Sequence, residues 1–144
     1  VEEELHQIKP WRAVGNKKFL ENIEGENTFS NLTHREIIFK IQNDLQNFKQ
    51  ICDRVVVINL ASTEKLAEEG NEIFNSLIDF EKALDANSSE ISPAMLYAYA
   101  SIAEKVPYGN FTPSVSADIH ALVEFAERQG VPIAGKDGKT GQTM

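Results

Sequence analysis

The chain has 144 residues, of which 42% are hydrophobic and 25% charged, as expected for one globular domain with a single core. Its 14 Lys and Arg against 22 Asp and Glu give a formal net charge of −8. The basic residues are not clustered, so neither nucleic acid nor an anionic membrane surface is expected as a partner. No apolar run approaches the roughly 20 residues that a membrane span needs.

The single cysteine, Cys52, excludes an internal disulfide and favours a reducing, cytoplasmic setting. Its position between a predicted helix and a predicted strand, with no base nearby in sequence, favours a core thiol over a nucleophile. The three histidines lack the spacing of metal ligands, so no metal site is predicted. The chain lacks an initiator Met and ends at Met144 directly after a glycine-rich loop, which predicts a fragment of a longer protein.

Residues 1–32 give the weakest pattern. Residues 9–11 (Lys-Pro-Trp) suggest an extended entry, and residues 19–25 a short helix ending at glycine. From Thr33 the pattern is clear, because Thr33 and Glu36 have the spacing of a capping box. The apolar residues that follow predict an amphipathic helix of about four turns: Ile37, Ile38, Ile41, Leu45 and Phe48.

Three short β-rich runs then alternate with helical segments. The first, residues 55–58, is an unbroken β-branched run and predicts a strand buried on both faces of a parallel sheet. The other two runs are residues 106–111 and 131–134. This alternation predicts an α/β layer architecture with right-handed crossovers.

The helices between the strands have recognisable ends. Ser62 or Thr63 is expected to cap a helix whose apolar pattern continues over 73–84. Residues 92–93 (Ser-Pro) predict a helix start, and the small residues that follow predict close packing. A last helix over 117–129 is expected to end at Gly130.

In an open parallel sheet, ligands bind outside the carboxyl ends of the strands. Three segments leave the predicted strands there: residues 59–64, 110–114 and 135–143. All are rich in small polar residues and glycine, which lets backbone N–H groups approach phosphates and ribose. The same residues are also common turn formers. From the pattern alone, a nucleotide site and plain turns remain equal alternatives.

The last of these segments resembles the end of a P-loop at residues 138–140 (Gly-Lys-Thr). That motif requires another glycine five residues before Gly138, where this chain has Ile133. The Gly-x-Gly-x-x-Gly dinucleotide fingerprint is also absent from the sequence. The pattern therefore does not select a reaction.

Three segments resemble the bacterial myo-inositol-1-phosphate synthases in order and spacing. They are residues 58–64 (Ile-Asn-Leu-Ala-Ser-Thr-Glu), residues 91–98 with 106–108, and residues 135–143 (Gly-Lys-Asp-Gly-Lys-Thr-Gly-Gln-Thr), the last being the most specific. The resemblance implies a Rossmann-like parallel sheet flanked by helices. Residues 1–134 would be part of the NAD-binding domain, and residues 135–144 the start of the catalytic and tetramerisation region.

The family converts D-glucose 6-phosphate to 1D-myo-inositol 1-phosphate, also numbered as the 3-phosphate. The resemblance implies oxidation at C5 of the sugar, enolisation, intramolecular aldol closure and reduction of the resulting ketone. NAD would be reduced and reoxidised within one turnover. This chemistry requires a bound nicotinamide, cations for the developing charge and positioned acid and base groups.

The resemblance also implies roles for individual residues. Ala61, Ser62 and Thr63 form the turn that would lie along the dinucleotide, and Thr140 matches a residue that contacts the cofactor. Asp137 matches an acidic residue close to both the nicotinamide and the reaction centre, so it is expected to bind cofactor and to take part in catalysis. Lys139 is expected to be a catalytic phosphate or electrostatic contact.

The chain also departs from the family. The glycine-rich dinucleotide loop is expected before Val1. The catalytic lysines and the tetramer-forming substrate domain are expected after Met144, so that the fragment by itself is inactive. Gly109 and Phe111 stand where many relatives carry other residues. An NAD-dependent dehydrogenase and a non-catalytic nucleotide-binding module remain as alternatives.

Overall fold

The computed structural model describes residues 12–16, 18–19, 27–29, 31–65 and 71–137. The entry predicted at 9–11 and most of the helix predicted at 19–25 therefore lie outside the described residues. The described elements follow one another as α1 (His34–Ile51), β1 (Val57–Asn59), a 3-10 turn (Glu72–Phe74), α2 (Leu77–Asp85), α3 (Pro93–Ala103), β2 (Tyr108–Asn110), α4 (His120–Gln129) and β3 (Ile133–Gly135).

The three strands form one parallel sheet in the order β1-β2-β3. Val57, Tyr108 and Ile133 lie side by side at its start, and Asn59, Asn110 and Gly135 at its carboxyl edge. Each strand is separated from the next by at least one helix, so the predicted α/β class with a parallel sheet is confirmed.

The capping box at the start of α1 is confirmed. The Thr33 hydroxyl accepts a hydrogen bond from the Glu36 N–H (3.2 Å), and the Glu36 carboxylate accepts one from the Thr33 N–H (2.7 Å). The buried side chains of the helix are those that the helical spacing predicted, except for Phe48, which is partly exposed. Local capping and periodicity therefore define this helix.

The predicted helix over 73–84 is interrupted. The Asn71 side chain accepts from the Ile73 N–H at the start of the 3-10 turn, and α2 begins only after Ser76, whose hydroxyl accepts from the Asp79 N–H. Ser and Asn side chains compete for backbone N–H groups and so favour such breaks. Residues 61–65 contain no helix, so the cap predicted at Ser62 or Thr63 is not found in this described segment.

Burial of β1 on both faces was also predicted and is wrong for the described residues. Val56 is 57% and Ile58 46% exposed, while Tyr108 in the neighbouring strand is 2% exposed. Alternate side chains of a strand point to opposite faces. Tyr108 belongs to the helix-covered core, against which Val57 packs, whereas Ile58 lies on the opposite face. The described helices thus cover one face of the sheet.

The α3 and α4 helices end as the sequence predicted. Ser92 caps α3 and Pro93 is its first residue, while α4 stops at Gly130, which has a left-handed φ of 65°. The small residues of α3, such as Ala98 and Ala100, are fully buried and allow close packing against α1. The start of α4 lies at His120, three residues later than predicted.

One buried aromatic residue joins the four helices. The Tyr99 ring stacks between Phe80 (6.0 Å between centroids) and Phe125 (4.9 Å). Its hydroxyl donates to Glu81 (2.7 Å) and accepts from Arg35 (3.1 Å). Because these partners come from α1, α2 and α4, the helical layer forms one connected support for the sheet. Within the described part of the chain, no helix is both long and apolar enough to cross a membrane.

Candidate functional site

The carboxyl edge of the sheet is shaped by a tight contact between β2 and β3. Gly135 has a φ of +104°, and a Cβ atom placed there would lie 2.1 Å from the carbonyl oxygen of Asn110. An ordinary van der Waals contact lies at 3.4–4 Å. Only glycine fits this position without displacing the backbone of β2, so the chain leaves β3 close to the end of β2.

Asn110 organises the loop that follows β2. Its side chain is buried, with 2% of the residue exposed. The amide nitrogen donates to the Ser114 carbonyl (2.7 Å), and the amide oxygen accepts from the backbone N–H (3.1 Å) and the hydroxyl (2.8 Å) of Thr112. This arrangement is an Asx-type turn, in which the side chain replaces backbone partners. The sequence pattern places this loop near the site, but no sequence feature marks Asn110 as its centre.

Hydrogen bonds connect the three loops at this edge. The Asn59 amide donates to the amide oxygen of Asn110 (3.1 Å), and its own oxygen accepts from the Ala61 N–H (3.2 Å). In the last loop, the Asp137 N–H donates to the Thr112 carbonyl (3.0 Å). The turn after β1, the loop after β2 and the segment after β3 therefore form one hydrogen-bonded unit.

Glu64 lies directly after the turn that follows β1 and is 7% exposed. Its backbone N–H donates to the Ser114 hydroxyl (3.0 Å), and its carboxylate accepts from the Ala94 N–H (3.0 Å) at the start of α3. Burial raises the pKa of the Glu64 carboxyl, while the nearby Ser92 hydroxyl and the hydrogen bond from Ala94 act in the opposite direction. Glu64 belongs to the segment 58–64 that resembles the family, but the sequence alone assigned no role to its side chain.

Tyr108, the first residue of β2, is buried under the sheet, and its hydroxyl contacts the loop that follows this strand. Its hydroxyl lies 3.2 Å from the Ser116 hydroxyl and 3.5 Å from the Ala94 carbonyl, which it approaches as a donor. Burial raises the pKa of Tyr108 to about 12. A phenol with this pKa stays protonated at neutral pH, so Tyr108 supports the edge and is unsuited to act as a general base there.

The residues predicted to bind cofactor or to act in catalysis divide into two groups. Ala61, Ser62 and Thr63 are exposed in the turn after β1, and Asp137 is exposed after β3 with a φ of 62°. Short polar side chains such as Asp tolerate this left-handed conformation. Lys139 and Thr140 lie outside the described residues. The structure brings the turn and Asp137 to the same edge of the sheet.

Two further features border the edge. An ion pair between Lys136 and Asp118 (3.1 Å) anchors the segment that leads to Asp137. A shallow groove runs along β1 and is lined by Asn59, Ala61 and Tyr97, together with apolar side chains of the strand. In the part of the chain that the structure describes, no group of three or more His, Cys, Asp or Glu residues is placed to hold a metal ion.

A family model described as myo-inositol-1-phosphate synthase matches residues 1–141. Inositol-3-phosphate synthase 1 of Bacteroides thetaiotaomicron is 39% identical, over 100% of this chain and 34% of that protein. Inositol-3-phosphate synthase of Saccharomyces cerevisiae is 37% identical, over 72% of this chain and 20% of that protein.

A crystal structure of inositol-3-phosphate synthase from Caenorhabditis elegans has a TM-score of 0.86 and 26% identity to this chain. The match covers 99% of this chain and 29% of that one. The chain therefore spans about a third or less of the length of these relatives.

Proposed function

Because the chain belongs to the myo-inositol-1-phosphate synthase family, we propose that it forms the NAD-binding part of an enzyme that converts D-glucose 6-phosphate to 1D-myo-inositol 1-phosphate. One structural observation supports NAD binding at the carboxyl edge of the sheet. The exposed turn at Ala61, Ser62 and Thr63 is connected by hydrogen bonds, through Asn59, Asn110 and Thr112, to the segment that holds Asp137.

The residues at this edge fit a dinucleotide. Small side chains at Ala61 and Ser62 leave the backbone accessible, and the exposed hydroxyls of Ser62 and Thr63 supply hydrogen-bonding groups for ribose or phosphate. The buried polar groups of Asn110 and Thr112 are paired with one another, so they hold the loops in place and leave binding to the turn. When bound, NAD supplies a hydride acceptor that later returns the hydride, which permits a rearrangement of the sugar without net oxidation.

Asp137 is proposed as the acidic group nearest the chemistry. Its backbone is fixed to Thr112 while its side chain is exposed. The carboxylate is therefore available to orient a lysine or to help bind a cation. Lys139 is proposed as a phosphate or electrostatic contact and Thr140 as a cofactor contact.

The division of the chain is part of the same proposal. Residues 1–134 would belong to the NAD-binding domain, and residues 135–144 would begin the region that carries the catalytic lysines and forms a homotetramer. Most of the length of the relatives lies outside the match, which is compatible with a further region beyond the NAD-binding part. The 144 residues alone are then inactive. The free thiol of Cys52 supports a reducing, cytoplasmic location.

Replacement of Asp137 tests the proposal in the natural-length protein that carries this chain. Asp137→Ala is expected to lower kcat by about 100-fold or more, because a small misplacement of the lysine or cation that it orients can cost about this much. The dissociation constant for NAD should change far less. Asp53→Ala is the matched control, because Asp53 is also an exposed acid but precedes β1. It should leave both quantities unchanged.

Other results would favour the alternatives. Formation of NADH in proportion to substrate consumed would indicate a plain NAD-dependent dehydrogenase. NAD binding without any turnover in the wild-type protein would indicate a non-catalytic nucleotide-binding module. Full turnover in Asp137→Ala would contradict the role assigned to this carboxylate.

A further inference from the structure

Glu64 is unusual for its burial. It is the only acidic or basic residue in the buried class among the described residues. Removing a carboxylate from water is costly unless hydrogen bonds compensate. One carboxylate oxygen accepts from the Ala94 N–H, but the other is buried with no hydrogen-bond partner within the described part of the chain. A neutral side chain would avoid this desolvation cost, so a glutamate at this buried position indicates a specific role for its carboxyl group.

The contacts of Glu64 connect three parts of the structure. Its backbone is held by the Ser114 hydroxyl in the loop after β2. Its carboxylate accepts from the N–H of Ala94, which is one of the first N–H groups of α3 and therefore has no partner within the helix. The positive end of the helix dipole favours a carboxylate at this position. Glu64 thus fixes the chain after β1 to both α3 and the loop after β2.

The turn at 61–63 is held mainly at its two ends. At the start, the Ala61 N–H donates to the Asn59 side chain. At the other end, Glu64 is held by its buried contacts with Ser114 and Ala94. The N–H of the following residue, Lys65, donates to the Phe19 carbonyl. Ser62 and Thr63 lie exposed between these anchors. The orientation of the turn therefore depends on how firmly both ends are fixed.

We propose that Glu64 is a positioning residue for NAD: by anchoring one end of the turn at 61–63 to α3 and to Ser114, it holds that turn in the shape that binds the dinucleotide. This inference rests on the proposed function, in which the turn contacts NAD. A turn that is ordered before binding loses less conformational freedom when the ligand arrives. Removal of the anchor should weaken NAD binding without affecting the chemical step.

The test uses the natural-length protein and NAD itself as the probe. Glu64→Ala removes the bond to Ala94 and is expected to raise the dissociation constant for NAD by about tenfold or more, because ordering of the turn then occurs on binding. Glu64→Gln retains an oxygen that can accept from Ala94, so NAD affinity should stay within about threefold of the wild type. The KM for NAD should rise in Glu64→Ala while kcat at saturating NAD stays unchanged.

Thr33→Ala is the control for a general loss of stability. It removes the cap of α1, a helix that supplies none of the contacts of Glu64. Its melting temperature should fall while NAD affinity stays at the wild-type value. If Glu64→Ala does not fold, Ser114→Ala provides the second variant, because it removes only the acceptor of the Glu64 N–H. A several-fold weaker affinity for NAD is expected there.

The possible failures are distinguishable. A wild-type protein that binds no NAD would overturn both the proposed function and this inference. Wild-type NAD affinity in a folded Glu64→Ala or Ser114→Ala variant would overturn the inference alone. Equal loss of affinity in Glu64→Gln and Glu64→Ala would also overturn it, because the hydrogen-bonding anchor would then not explain the role of Glu64.

Discussion

Gly135 and Gly130 provide a matched pair for testing the packing at the carboxyl edge. Both have a positive φ, 104° and 65° respectively. Their surroundings differ, since a Cβ atom at Gly130 would meet nothing within 4 Å. At Gly135 it would lie 2.1 Å from the oxygen and 2.9 Å from the carbon and nitrogen of Asn110. Alanine at the two sites therefore separates backbone strain from steric overlap.

The structure gives different magnitudes for the two variants. Gly130→Ala should cost about 1 kcal/mol, the usual penalty of a left-handed conformation for an L-residue. Gly135→Ala adds an overlap of more than 1 Å with the backbone of β2. Relief requires separation of β2 from β3, with overpacking costs of about 1–3 kcal/mol and loss of hydrogen bonds at about 1 kcal/mol each. The expected total is about 3 kcal/mol or more.

Thermal unfolding of the 144-residue chain, followed by far-UV circular dichroism, measures both effects. At about 3 °C per kcal/mol, Gly130→Ala should lower Tm by about 3 °C and Gly135→Ala by about 10 °C. Equal shifts for the two variants would refute the proposed close approach of Gly135 to Asn110.

Three further substitutions test the supports of the site and the fold. Asn110→Asp should lower the free energy of unfolding in urea at pH 7 by about 3 kcal/mol, because it removes the donor to the Ser114 carbonyl and places a charge beside it. An unchanged free energy of unfolding would contradict the role of Asn110 in organising the loop after β2. Thr33→Ala should lower the free energy of unfolding by about 1 kcal/mol, since it breaks the capping box with Glu36. An unchanged urea midpoint would contradict the stabilising role of this cap. The raised pKa of Glu64 means that the folded state holds this proton more tightly than the unfolded state. Wild-type stability relative to Glu64→Gln should therefore be greatest below the unfolded pKa and fall as pH rises through the raised folded pKa; a difference that grows with pH would contradict the burial argument.

Features decided by local interactions could be predicted from the sequence. The capping box at Thr33, the start of α3 at Pro93 and the stop of α4 at Gly130 depend on residues within one turn of each other. The break before α2 was missed, because apolar periodicity continued across Ser76 and concealed its capping role. Cys52 was predicted to be a core thiol and is exposed.

The candidate site was predictable only in its location. The rule that ligands bind at the carboxyl ends of parallel strands places the turn at 61–63 and Asp137 at one edge. The supports of that edge come from residues distant in sequence, such as Asn59 with Asn110 and Glu64 with Ser114, which are 51 and 50 positions apart. No local pattern marks such pairs, because burial and partners are set only when the chain has folded.

Under the proposed function, NAD is reduced and reoxidised within each turnover of glucose 6-phosphate to inositol phosphate. Glucose 6-phosphate with deuterium at C5, incubated with the natural-length protein and unlabelled NAD, tests it most directly. We expect the inositol phosphate, analysed by mass spectrometry, to retain the deuterium while no NADH accumulates at 340 nm, since the hydride removed from C5 is returned before the sugar leaves. Product that has lost the deuterium, or NADH formed in proportion to product, would contradict the proposed function.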